Sequence, residues 1–231
     1  MARVSVVGRV GTVRTRGTPP VTLPVEISTD GPPLTPLTRT QIFNTAFRRF
    51  ADSAQSQRLE REIRGFELLS SKQKLMAGLP TYATYFGRDI VLTALLMEPV
   101  WSDTMAEFVM GAALAKLSPD GEVSHEEALG GQAIRENGAE FLKTGDSTLL
   151  KNLQATRENY WMVDDDFQLP VVAGRYFADA TVPDTRKKRF VTTWGPALRK
   201  NLAYVARQAA PYARAQSATT LVSFKRDSDG W

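Results

Sequence analysis

The feature that most constrains this fold is a change in hydrophobic period near residue 39. Within residues 21–27, valine, leucine, valine and isoleucine alternate with polar residues and a proline, which is the period-two pattern of a half-buried strand. Beyond residue 39, apolar residues recur every three to four positions, as on the buried face of a helix. We therefore expect a β segment with a linker over residues 1–38 and a helical domain over residues 39–231.

The β segment is too small to stand alone. A weaker strand pattern, VSVVGRVGTV, precedes the first one, and prolines within the alternating stretch suit an edge strand. Two strands do not form a stable sheet by themselves. Residues 1–38 are therefore predicted to be the remnant of an N-terminal β domain, followed by a linker rich in Pro, Gly and Thr over 29–38.

The rest of the chain predicts seven helices and no strand. Helices that are apolar on only one side need partners, and antiparallel hairpins joined by polar loops provide them. The fold class is therefore mainly α. The predicted segments are a stripe through Phe43, Phe47, Phe50 and Ala54, a second through Leu59, Ile63 and Phe66, the ranges 90–97, 102–117, 146–153 and 168–179, and a last helix that begins at Pro196.

Composition narrows the functional classes. No run of about 18 apolar residues exists, so no membrane partner is expected. The chain has no cysteine and one histidine, which argues against disulfides and a zinc site and suits the cytoplasm. The net charge of +4 is concentrated late, as in the RKKR run at 186–189. Without a nucleic-acid motif, we interpret this run as a solvated face and expect no nucleic-acid partner.

A first candidate loop pairs Arg88 with Asp89 behind aromatic residues, in YFGRD. A guanidinium and a carboxylate side by side offer fixed donors and acceptors to adjacent sugar hydroxyls, and the ring of Tyr85 could pack on a sugar face. The alternative is that Asp89 caps the following helix.

A second candidate loop, DGEVSHEE at 120–127, contains the single histidine. His125 and Glu126 are interpreted either as a structural turn or as the lining of a polar cleft.

A third candidate loop places three carboxylates among aromatic residues, in YWMVDDDF. Burial and like charge raise a carboxyl pKa toward the range of a general acid, whereas a helix N-terminus lowers it. An inverting glycosidase needs two carboxyl groups about 6.5–9.5 Å apart. Consecutive residues cannot supply both, so one of Asp164–Asp166 could be the acid and the base lies elsewhere. The alternative is capping.

These segments together, with YFGRD, LSPDGEVSHEE and MVDDDFQLPVVAGRY in this order, resemble bacterial amylo-alpha-1,6-glucosidase-like proteins of the glycogen-debranching type. The resemblance extends from about residue 25 to 231. It implies a six-hairpin (α/α)6 toroid that hydrolyses an α-glucan or oligosaccharide with inversion and without a cofactor.

The resemblance also implies residue roles. Arg88 and Asp89 match the pair that holds the terminal glucose, and His125 and Glu126 match the middle cleft loop. Asp166 is the predicted proton donor, with Asp165 as the second choice. Arg226 and Asp227 match a second Arg-Asp-Ser loop, although Lys225 stands where these relatives have tryptophan.

The main departure from this family is length. The family needs twelve helices and a catalytic glutamate far downstream, whereas the chain predicts seven helices. We therefore expect an incomplete toroid whose uncovered helix faces promote self-association. Two functions stay open at this point, a glycoside hydrolase domain and a non-catalytic helical module that binds a carbohydrate or a protein.

Overall fold

The computed structural model describes residues 4–5, 28–29, 34–72, 75, 77, 84–128, 130–151 and 156–225. The chain divides into two units, residues 1–33 and 34–231. In the first unit, β1 (Val4–Ser5) pairs antiparallel with β2 (Ser28–Thr29). The strand predicted at 21–27 lies outside the described residues.

The second unit is mainly helical, which confirms the predicted fold class at that level. Its described part contains α1 (Arg39–Ile42), α2 (Thr45–Ala54), α3 (Gln57–Leu69), α4 (Gly87–Met97), α5 (Met105–Leu114), α6 (Gly130–Thr144), α7 (Thr148–Lys151), α8 (Asp164–Ala178) and α9 (Asp184–Ala215), and then a 3-10 turn (Ala218–Thr220). No helix in these described ranges combines the length and the apolar character needed to cross a bilayer.

A small antiparallel sheet corrects the expectation of no strand after residue 39. It consists of β3 (Thr84–Phe86), β4 (Glu126–Ala128) and β5 (Arg157–Asn159), in that order across the sheet. The strands have three residues each, and β4 and β5 are mostly charged or polar. Such short segments show no period-two pattern, so their pairing is determined by contacts between distant parts of the chain.

Helix boundaries differ from the prediction where local capping or proline context decides them. Asn44 caps α2, because its Oδ1 accepts a hydrogen bond from the backbone N–H of Phe47 at 2.8 Å. Phe43 therefore lies outside the helix and forms an isolated bridge with Trp101. The last helix begins at Asp184 rather than at Pro196, which lies inside it.

Two other helices depart from the prediction. The sequence does not predict helix α6, because GGQAIRENGAEFLKT has several glycines and few apolar residues. Helix α8 begins at Asp164 instead of residue 168, so the three aspartates form its first turn.

The core lies where α4, α5, α8 and α9 pack on one another. Ile90 and Val91 of α4 are buried here with Val109 of α5 and Leu169 of α8. Complete burial of each such side chain contributes roughly 1.5–3 kcal/mol. The same packing brings the first turns of α4 and α8 together.

Gly87 lets the start of α4 approach the segment before β4. Its backbone N–H donates to the carbonyl oxygen of His125 at 2.7 Å. A Cβ atom at this position would overlap the carbonyl oxygen of Ser124. The close approach therefore needs glycine, and it fixes the distance between the first and second candidate loops.

Helix α9 contacts two separate parts of the helical domain. Near its start, the Nε of Arg186 donates to Glu107 of α5 at 2.8 Å. Further along, the Nδ2 of Asn201 donates to the carbonyl oxygen of Gly121 at 3.0 Å, and the hydroxyl of Tyr204 donates to Glu122 at 3.2 Å. One helix thus supports the loop that precedes β4.

Candidate functional site

The sheet brings the three candidate loops together. Tyr85 of β3 pairs with Glu127 of β4, which pairs with Glu158 of β5. Just before β4, the backbone N–H of His125 donates to the carbonyl oxygen of Asn159 at 2.8 Å. Each candidate loop therefore adjoins a strand, and the strands hold all three at one end of the helical body.

Arg88 lies beside the acidic triplet. Its Nη1 is 3.6 Å from Oδ2 of Asp164, and both side chains are partly exposed. Attraction between unit charges at this separation is modest near solvent. The contact is informative about geometry, because it places a guanidinium at the rim of the acidic turn.

Asp89 does not share this neighbourhood. It is exposed on α4 and lines a separate cavity of about 180 Å³, together with Phe66, Leu75 and Trp101. Successive helical residues point about 100° apart, because 3.6 residues complete a turn. The Arg88–Asp89 pair is therefore adjacent in sequence but faces two different surroundings.

Asp165 and Asp166 are completely buried. The Oδ1 of Asp166 accepts a hydrogen bond from the backbone N–H of Val123 at 2.5 Å, and the Oδ1 of Asp165 accepts one from the N–H of Asp166 at 3.0 Å. The Oδ2 atoms of both aspartates have no hydrogen-bond partner among the described residues. The Nδ1 of His125 lies 3.8 Å from Oδ2 of Asp165.

Burial decides the protonation of this pair. It raises the pKa of Asp165 to about 8, and the neighbouring carboxylates of Asp166 and Asp164 act in the same direction. It also raises the pKa of Asp166 to about 7, against the backbone N–H of Val123 and the charge of Lys225. Both carboxyl groups are therefore poised to hold a proton near neutral pH.

Capping alone does not explain the triplet. The residue before the helix is Val163, whose side chain makes no capping hydrogen bond. The Oδ1 of Asp166 accepts its hydrogen bond from Val123, which belongs to another segment rather than to the first turn of α8. All three aspartates lie in the first turn of α8, where a helix dipole favours anions. The burial of two of them works against that preference and prevails.

Lys225, Glu122 and Tyr204 belong to the site but were not identified from the sequence. The Nζ of Lys225 donates to Oε1 of Glu122 at 2.7 Å and to the carbonyl oxygen of Tyr160 at 2.6 Å. The same nitrogen lies 3.8 Å from Oδ2 of Asp166. The only available signals were the position of Glu122 inside the middle loop and that of Lys225 beside Arg226.

The remaining predicted residues have distinct environments. Tyr85 is 2% exposed, so its ring is enclosed within the protein in this structure. Glu126 is half-buried and accepts a hydrogen bond from Nδ2 of Asn159 at 2.7 Å. Arg226 and Asp227 lie outside the described residues.

A second charged cluster connects two strands of the sheet. Glu127 is 1% exposed, and its Oε1 lies 3.3 Å from the Nζ of Lys116. The same Nζ lies 3.0 Å from Oε1 of Glu158. Lys116 thus balances two carboxylates that project from neighbouring strands. Within the described ranges, no group of three or more His, Cys, Asp or Glu side chains is placed to hold a metal ion.

Compared with known proteins, the chain matches no family model, no curated protein and no solved structure.

Proposed function

We propose that this chain is a glycoside hydrolase-like domain of the amylo-1,6-glucosidase type, which acts on α-glucosidic bonds in the cytoplasm with inversion and without a cofactor. The observation that carries the proposal is the contact of Arg88 with the acidic turn of α8, where burial raises two carboxyl pKa values toward neutrality. Distant segments thereby combine a group that binds hydroxyls with a group that donates a proton.

Each residue has a role in this proposal. Asp166 holds the proton that passes to the glycosidic oxygen, because burial raises its pKa to about 7, and Asp165 is the second choice for this role. Arg88 binds sugar hydroxyls while Asp164 orients its guanidinium group. His125 and Glu126 belong to the loop beside the sugar, and Arg226 and Asp227 are further binding residues by the resemblance. Asp89, which the resemblance also implies, faces a different cavity and is left out of this role.

The proposed architecture is an incomplete (α/α)6 toroid. Exposed leucines at positions 92 and 96 of α4 lie one turn apart, and α4 packs against α8, on which Val171 is also exposed. An apolar surface of this kind is suited to contact with another apolar surface. We therefore propose that copies of the chain associate through these helix faces.

A second candidate is a non-catalytic module that binds carbohydrate. An open groove of about 660 Å³ lies beside the site, lined by Trp161, Glu126, Asn159 and Arg157 among others. Trp161 is 48% exposed, so it offers an aromatic surface next to polar groups. The complete burial of Asp165 and Asp166 also favours binding without cleavage.

Two measurements on the 231-residue chain separate these functions. Titration calorimetry with maltose and with glucose measures sugar binding, and enzymatic detection of released glucose measures hydrolysis of a branched or short maltooligosaccharide. The hydrolase proposal expects both signals, with glucose release lost in Asp166→Asn. Heat without glucose release supports the binding module instead.

Arg88→Lys tests whether binding uses the candidate site. It keeps the charge but removes the planar fork of donors, so we expect maltose affinity to fall about tenfold. Arg58→Lys, on the exposed face of α3, is the matched control. Absence of heat from both sugars in the wild type would refute carbohydrate binding altogether.

A further inference from the structure

Two carboxylates of the candidate site face each other across one ammonium group. The Nζ of Lys225 lies 2.7 Å from Oε1 of Glu122 and 3.8 Å from Oδ2 of Asp166. Because both distances start at the same nitrogen, the two oxygens are at most about 6.5 Å apart. The ammonium group is therefore close to two acids, one from the loop before β4 and one from the first turn of α8.

The loop that presents Glu122 is supported by several hydrogen bonds. The Oγ of Ser118 accepts hydrogen bonds from three successive backbone N–H groups, those of residues 120–122, and donates to Oε2 of Glu122 at 2.8 Å. Gly121 has a φ of 105°, and a Cβ there would meet the carbonyl oxygen of Lys200. These contacts hold the backbone of the loop around Glu122, which is the kind of support that positions a functional carboxylate.

The two acids have opposite electrostatic environments. Burial raises the pKa of Asp166 to about 7. Burial also acts to raise the pKa of Glu122, but hydrogen bonds from Lys225, Ser118 and Tyr204 outweigh it and leave that pKa lowered. When the surroundings of two neighbouring carboxyl groups push their pKa values apart, one is suited to give a proton and the other to accept one. Ser118 and Tyr204 still donate to Glu122 when Lys225 is displaced, and a positively charged ligand replaces the charge of Lys225.

One oxygen of the pair has no hydrogen bond. The Oδ2 of Asp166 is buried, and no described residue provides it with a hydrogen-bond partner. A buried polar atom without a partner costs free energy unless a ligand or a proton satisfies it. This oxygen lies on the side of Asp166 that Lys225 covers, which marks the gap between Asp166 and Glu122 as the place where a ligand would bind.

We propose that Glu122 is the second carboxylate of the site, opposite Asp166, and that Lys225 occupies the place of a cationic ligand between them. The inference rests on the proposed function and identifies its missing base within this chain. In the reaction, Asp166 gives its proton to the leaving oxygen as the bond from that oxygen to the anomeric carbon breaks. Water forms the new bond to that carbon, and its proton passes to Glu122.

The ligand class follows from the charge. The transition state of glycoside hydrolysis carries positive charge on the sugar ring, and a gap that already holds an ammonium group is complementary to it. A polyhydroxylated piperidine with the glucose configuration, protonated on its ring nitrogen, is a stable probe with this charge. Glucose is the neutral probe of the same shape.

Lys225 must leave for the probe to enter. Its side chain is 26% exposed, and the preceding Phe224 is 63% exposed, so this segment has little burial to hold it. Inverting enzymes hold their carboxyl groups about 6.5–9.5 Å apart, so the gap also widens slightly as a sugar and a water replace the lysine.

Calorimetric titration of the piperidine into three proteins tests this inference. The proteins are the wild type, Lys225→Met, and Lys225→Met combined with Glu122→Gln. Lys225→Met removes the ammonium group that competes with the piperidine but keeps an apolar side chain against Tyr204. We expect this variant to bind the piperidine at least about tenfold more tightly than the wild type does. Adding Glu122→Gln to this variant is expected to abolish the gain. Glucose affinity should change much less in both. Circular dichroism verifies that each variant is folded.

The outcomes are distinguishable from those of the proposed function. If Lys225→Met does not tighten piperidine binding, or if the gain persists with Glu122→Gln, the inference is wrong. If the wild type releases glucose and Glu122→Gln releases it at the same rate, the inference is wrong although the hydrolase proposal stands. If the piperidine pattern appears without glucose release, the two-carboxylate site stands and hydrolysis does not.

Discussion

Arg88 and Asp164 lie 3.6 Å apart, from guanidinium nitrogen to carboxylate oxygen, each in the first turn of a different helix. The positive ends of both helix dipoles therefore point to the same place. Asp164, the most exposed of the three aspartates, neutralises part of this field at the surface. Asp165 and Asp166 lie beneath it, and their burial has consequences that can be measured.

The stability of the chain is expected to fall as pH rises from about 4 to about 8. The pKa of Asp165 is raised from 3.8 to about 8 in the fold, so the folded state binds this proton more tightly than the unfolded chain does. The resulting stability is complete below pH 3.8 and is lost as pH passes through the raised value. Glu122 and Glu158 have pKa values lowered from 4.5, so their stabilising effect is complete above pH 4.5 and is lost only as the pH falls below it.

Asp165→Asn tests this assignment. The variant should lose less stability than the wild type between pH 5 and pH 8, measured by urea denaturation at each pH. Asp52→Asn, on the exposed face of α2, is the surface control. Equal slopes in Asp165→Asn and in the wild type would show that Asp165 does not titrate in this range.

Gly87→Ala is expected to destabilise the fold by about 1–3 kcal/mol or more, because the new methyl group meets backbone rather than a movable side chain. Gly174→Ala in α8 is the matched change, since nothing lies within 4 Å of its Cβ position. That variant should gain about 0.4–1 kcal/mol. Thermal melts followed by circular dichroism measure both, and a neutral Gly87→Ala would mean that α4 does not approach β4 so closely.

Lys116→Met is expected to destabilise the sheet, because it leaves Glu127 and Glu158 without the ammonium group that lies between them. The Lys116 side chain is 34% exposed, so solvent moderates the effect to about 1–2 kcal/mol. Arg64→Met removes a surface ion pair with Glu60 and should lie within the error of the measurement. Similar losses for the two variants would contradict a special role for Lys116.

Leu96→Lys is expected to shift the chain toward monomer at concentrations where the wild type associates. Leu96 is 72% exposed on the α4 face proposed for self-association. Leu142→Lys changes a leucine that is 84% exposed on α6 and should leave the mass distribution unchanged. Sedimentation velocity over a concentration series measures both, and a monomeric wild type would refute the self-association proposal.

Sequence patterns predicted the parts of the fold in which local signals are strong. The end of α4 at Met97, just before Pro99, follows from backbone chemistry that needs no tertiary context. The start of α9 cannot be read from local sequence in this way, because Pro196 suits the first turn of a helix and yet lies inside this one. The three short strands gave no local signal at all.

The candidate site was predictable only in part for the same reason. The acidic turn and Arg88 stand out in sequence, whereas their contact depends on the packing of α4 against α8. Lys225 and Glu122 are separated by more than half of the helical domain, and no local pattern links them. Nor could the sequence reveal that Asp165 and Asp166 are buried, which decides their protonation.

Helix α9 also has a mechanical consequence. Its 32 residues make a rod about 48 Å long. Near the start of the helix, Arg186 is hydrogen-bonded to α5. Closer to its C-terminal end, Asn201 and Tyr204 are hydrogen-bonded to the loop that contains Glu122. If the rod detaches, that loop loses its supports at the same moment, so amide hydrogens at both places should exchange in a single cooperative opening.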